Sequence, residues 1–73
     1  MAANVWVVLH DGEWAVRREG SERASSVHAT QAEAIEAGRA TAQREKCELI
    51  IQGEDGQIRE RNSYGDDPSP PRG

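Results

Sequence analysis

"VWVVLHDGEWAVRR", Val5 to Arg18, holds two β-rich runs separated by Asp11-Gly12. An Asp-Gly pair between apolar runs suits a two-residue type I′ hairpin turn, because both central residues of that turn need positive φ. With the turn placed, the register follows. His10 pairs with Glu13, Leu9 with Trp14, Val7 with Val16 and Val5 with Arg18, and paired residues share a face of the sheet. Val5, Val7, Leu9, Trp14 and Val16 therefore make one apolar face. The other carries Trp6, Val8, His10, Glu13, Ala15 and Arg17, half of it apolar where a solvated face is polar.

Working outward, "GSERASSVHAT" (Gly20 to Thr30) opens as a polar turn and suits a third short strand around Ser25 to Ala29. Thr30 and Glu33 have the S/T-x-x-E spacing of a capping box, which predicts a helix starting after Thr30 and running to about Glu45. Ala34, Ile35, Gly38, Thr41 and Ala42 fall on one side of it at helical spacing. Gly38 lowers helix propensity by roughly 1 kcal/mol relative to Ala, and close approach of the helix to the sheet is the return. "CELIIQGEDGQIRERN" (Cys47 to Asn62) repeats the hairpin logic with Asp55-Gly56 at its tip. That register puts Leu49, Ile51 and Ile58 on the helix side, and Ile50, Gln52, Arg59 and Arg61 on the other. The expected fold is a two-layer α+β domain in the order β-β-(β)-α-β-β, with one helix packed on one face of an antiparallel sheet of four to five strands. Residues 1–68 form that single domain, and 69–73 are expected to be a flexible C-terminal end.

Composition narrows the function classes. A chain of 73 residues with 36% apolar content and no Phe has a thin core, so each of its few large side chains matters. A lone cysteine, Cys47, makes no internal disulfide. The absence of a long apolar run or a basic-apolar leader argues for a soluble, cytoplasmic protein without membrane attachment. A formal net charge of −4 disfavours nonspecific binding to nucleic acid or anionic lipid, while leaving room for a local basic patch.

The segments "HDGEWAVRREGSERASSVHATQAEAIEAGR" and "GEDGQIRERNSYGDDPSPPRG" resemble the bacterial family of domain of unknown function 2188. They follow its central W-x-V-x-R-x-G-x-x-R-A-S-x-x-x-x-T-x-x-E-A and its terminal D-G-x-I-x-x-x-x-S-Y-G-x-D-P. The likeness spans nearly the whole chain. It implies no catalytic or binding residue.

Enzymatic chemistry would need a nucleophile with a base, a carboxylate pair in a cleft, or a metal cluster. His10, His28 and Cys47 are the only residues of their kinds and lack ligand spacing, so no metal, cofactor or catalytic residue is assigned. A Cys47–His28 pair would need the fold to bring the two together; a small buried hydrophobe is the plainer reading of Cys47. "GEDG" lacks the alternating oxygen ligands of a calcium loop and suits a hairpin turn. What stands out is the sheet face away from the helix. There Trp6, His10, Arg17, Arg59 and Arg61 meet apolar neighbours, and the tail "NSYGDDPSPPRG" offers Tyr64, two aspartates and prolines that would fold back over Trp6 within the chain or across a dimer. The candidate interaction face is therefore Trp6, His10, Arg17, Arg59, Arg61 and Tyr64. The expected function is a non-enzymatic module acting by protein interaction or self-association, with a homodimer or another protein as partner. A nucleic-acid-binding module using the same face is the alternative, since an aromatic among arginines can stack a base and neutralise phosphate.

Overall fold

Asp11 and Gly12 take φ values of 53° and 80°, the two left-handed conformations that a type I′ turn requires. β1 (Val5–His10) and β2 (Glu13–Arg18) accordingly pair antiparallel in the expected register, from Val5 with Arg18 to His10 with Glu13. The computed structural model describes residues 3–21 and 23–65. β3 (Ala24–His28) lies along the other side of β2, with a register shift at Val16/Arg17. Thr30 caps α1 (Gln31–Glu45), its hydroxyl accepting the Glu33 N–H at 3.2 Å. β4 (Glu48–Gln52) and β5 (Ile58–Ser63) form the second hairpin. The five strands make one sheet in the order β3-β2-β1-β4-β5, and α1 packs across β1 to β4 on one face of it.

This is the expected α+β architecture with one correction. The sheet is mixed, because β4 runs parallel to β1. The meander alternates direction, so β3 runs with β1. One helix then returns the chain to the starting end of the sheet, and the next strand must run the same way as β1.

The core lies between helix and sheet. Val5, Val7, Trp14, Val16, Leu49, Ile51 and Cys47 meet Ala34 and Ala42, with Ile35 and Ala37 packed against them. Small residues on the helix stripe let the backbones approach. A Cβ built on Gly38 would stand 2.9 Å from Leu49 Cδ1 and 3.2 Å from Val7 Cγ2. Polar ties fasten the ends. Asn4 accepts the Glu19 N–H at its carbonyl and the Glu48 N–H at Oδ1, joining β1 to both neighbours. The Arg18 guanidinium pairs with Glu45 at the end of α1, and Gln31 Nε2 donates to the Gln52 carbonyl at 3.1 Å.

The second hairpin differs from the first. Gly56 has φ 83°, but Asp55 is not left-handed, and the Gly56 N–H donates to the Gly53 carbonyl at 3.0 Å. Gly53 N–H in turn donates to the Gln57 carbonyl at 2.8 Å. This is a three-residue loop, Glu54 to Gly56, with glycine at its left-handed end, not the expected two-residue turn. A bulge compensates for the extra residue: Gln52 pairs with Ile58, but Ile51 pairs with Glu60, leaving Arg59 unopposed. Beyond the bulge the expected register returns, with Ile50 opposite Arg61 and Leu49 opposite Asn62. Ile58 is thereby moved off the helix side and onto the face of Gln52, where it is 47% exposed.

Candidate functional site

Strand pairing arranges the helix-free face in two cross-strand rows. In the first, Arg17, Trp6, Ile50 and Arg61 stand side by side on β2, β1, β4 and β5. In the second, Val27 pairs with Ala15 and Ala15 with Val8, while Gln52 pairs with Ile58 at the other edge. Ala15 and Ile50 are buried although no helix covers them, because each sits low between longer side chains; Trp6 and Val8 are half-buried. Val27, at the β3 edge, is 52% exposed. Around this apolar centre stand His10, Glu13, Arg17, Glu48 and Arg61, so the face has an apolar middle and a charged rim, the usual anatomy of a protein interface.

A concavity of about 400 Å³ follows β1 across this surface, lined by Trp6, Val8, His10, Arg17 and Gln52 among others. The Trp6 Nε1–H is buried and meets no acceptor among the described residues. Such an orphaned donor destabilises by roughly 1–3 kcal/mol. The arginines are partly engaged. Arg17 donates to the Ser21 carbonyl at 2.6 Å, and Arg61 Nε lies 3.9 Å from Glu48 Oε1. His10 Nε2 lies 3.4 Å from Asp11 Oδ2, with both side chains in solvent.

Of the expected face residues, Trp6, His10, Arg17 and Arg61 are brought together. Two are not. Arg59 is the bulge residue; its side chain lies against Gly53 and pairs with Asp55 at 3.3 Å, so it serves the loop. Tyr64 packs against the helix-side core, its N–H donating to the Cys47 carbonyl at 3.1 Å. It does not cover Trp6. Strand alternation carried that signal: with Asn62 opposite Leu49, Tyr64 falls on the side of Leu49 and Cys47. The remainder of the tail expectation, Asp66 to Pro68 and residues 69–73, lies outside the described residues.

The sequence reading passed over one contact. Ser26 Oγ and His28 Nε2 share a hydrogen bond of 2.8 Å on the helix side of β3. Their spacing of two along a strand put both on one face, which was readable beforehand. Both are half-buried, and each satisfies the other beside the helix. The Cys47–His28 pair is not formed, because β3 and β4 are three strand spacings apart, about 14 Å. Burial and the Glu45 carboxylate push the Cys47 thiol pKa up, away from the reactive thiolate. Among the described residues no group of three or more His, Cys, Asp or Glu could hold a metal ion, and no helix is long and apolar enough to cross a membrane.

No curated protein matches this chain, and no solved structure does. Residues 5–64, from the first residue of β1 through the tyrosine that closes the core, match the model of a family described as an uncharacterized protein conserved in bacteria (DUF2188), and the chain belongs to that family.

Proposed function

We propose that this protein is a non-catalytic binding module of the bacterial cytoplasm whose helix-free sheet face takes the surface of another protein. The observation that carries the reading is the pair of cross-strand rows: Val27, Ala15, Val8, Trp6, Ile50 and Ile58 form an apolar band across a sheet whose single helix lies on the opposite side. Apolar surface at the middle of a charged rim favours a protein partner over solvent. The Trp6 N–H adds to this, since a partner carbonyl reached by a turn of the indole would relieve an unsatisfied donor. A single buried thiol is compatible with the reducing cytoplasm. Nucleic acid is less well served. The rim mixes Glu13 and Glu48 with Arg17 and Arg61, and Arg59 has left the face, so little net positive field remains over it.

A photo-reactive side chain at Val8, with a control at the exposed helix position Arg39, tests the proposal in cell extract. The expected result is one protein adduct formed from position 8, absent from position 39 and competed away by unmodified chain. A gel shift that falls steeply with salt and disappears in an Arg17→Gln, Arg61→Gln double variant, with no adduct at position 8, would overturn it in favour of nucleic acid.

A further inference from the structure

The sheet has two free edges, β3 and β5, and they are built oppositely. An edge strand exposes unpaired backbone groups, and proteins usually guard it with charge or proline. β5 is guarded: its sequence IRERNS places Arg59, Glu60 and Arg61 in succession. β3 is ASSVH, with no Arg, Lys, Asp, Glu or Pro, and its Val27 is half in solvent.

We propose that β3 is the self-association edge of this protein, pairing antiparallel with β3 of a second copy. This surface is separate from the helix-free face and does not depend on its function.

Symmetry selects the second copy. Two like strands paired antiparallel are related by a two-fold axis normal to the sheet, which keeps every side chain on its own face. For β5, the axis at Glu60 sets Glu60 against itself and Arg59 against Arg61, and the axis at Arg61 sets Arg61 against itself. Each register puts like charges opposite each other. For β3, the axis at Ser26 uses the whole strand: Ser26 meets Ser26, Ser25 meets Val27 and Ala24 meets His28. No pair carries like charge. The exposed Val27 lies beside a small exposed Ser25 and within diagonal reach of the other Val27, so two apolar side chains leave water together on the helix-free side. The helices do not obstruct the seam. Each α1 starts shortly after His28, and in this register the two His28 positions stand at opposite ends, about 13 Å apart along the strand direction. The product is a continuous ten-stranded sheet with both helices on one side.

Light scattering across micromolar to millimolar concentration, combined with amide exchange on the full chain, tests the inference. The expected outcome is a mass rising towards twice that of the chain. Amides of residues 24–28 gain protection as it does, while those of β5 do not change. Ser25→Lys, at an exposed position, should weaken association at least tenfold by setting a charge beside Val27 of the other copy; Arg61→Ala, on the guarded edge, should leave it unchanged. A monomer at millimolar concentration, a dimer whose β3 amides exchange as in the monomer, or a dimer indifferent to Ser25→Lys would each overturn the proposal.

Discussion

Gly38 lies where the helix crosses β1 and β4, and the space above its Cα is already taken. Alanine there gains about 1 kcal/mol of helix propensity but must push back the Leu49 and Val7 methyl groups, which are fully buried and have little room to yield. Overpacking of this kind destabilises by roughly 1–3 kcal/mol. Gly38→Ala should therefore lower stability by about 1 kcal/mol in urea unfolding, and Gly38→Val by more. A stabilised alanine variant would mean that the helix does not sit this close. Cys47 makes the second residue-scale prediction. Its thiol pKa is raised, first by burial and then by Glu45, with Arg18 opposing. The native state therefore holds the proton more tightly than the unfolded chain does. Stability is fully present below the ordinary thiol value and falls as pH rises above it through the folded value. Unfolding free energy measured on both sides of about pH 9 should fall more steeply for the natural protein than for Cys47→Ala, whose curve lacks this contribution.

At the scale of elements, local rules decided most of what could be read in advance. Asp11-Gly12 set one hairpin and its register, and Thr30 set the start of the helix. The second hairpin shows where such rules stop. Asp55-Gly56 marks the turn correctly, but one glycine at positive φ suits either a two-residue or a three-residue loop. Only the bulge at Arg59 reveals which was used. The end of α1 carries a testable oddity. Lys46 closes it at φ 58°, ψ 54°, with its N–H and that of Cys47 both donating to the Ala42 carbonyl. A side chain in that left-handed conformation costs about 1–2 kcal/mol relative to glycine. Glycine restores part of this to the unfolded chain as entropy, about 0.4–1 kcal/mol. Lys46→Gly should stabilise by roughly 0.5 kcal/mol and raise the melting temperature by about 2–4 °C. An unchanged or lower value would show that the lysine side chain contributes something its exposed position does not reveal.

At the scale of the molecule, the sheet separates two tasks. Its helix side holds the core, and its open side holds the candidate interface. The sequence pattern showed both faces because strand alternation is local. The parallel β1–β4 contact was harder to foresee, since it joins residues more than forty positions apart and follows only once the helix crossover is placed. Tyr64 was assigned to the wrong task because composition was followed, an aromatic near arginines, where alternation from Asn62 pointed to the helix side. Its observed place yields a prediction that tests this division of labour. Tyr64 continues the line of β5 past its last paired residue and lays its ring on the open end of the core, tied through its N–H to Cys47. Loss of a fully buried aromatic costs about 3–5 kcal/mol; Tyr64 is half-buried, so Tyr64→Ala should cost about 2 kcal/mol. In a domain with roughly 4–11 kcal/mol in total, that is a large fraction, equivalent to about 8–16 °C in melting temperature. The open face should not register the loss. In a Trp14→Phe background, Trp6 emission of the folded Tyr64→Ala protein should match that of its parent, and crosslinking from position 8 should persist below the lowered melting temperature. A red shift of Trp6 in the still-folded variant would show instead that the tyrosine shields the open face, and the separation of core and interface would fail.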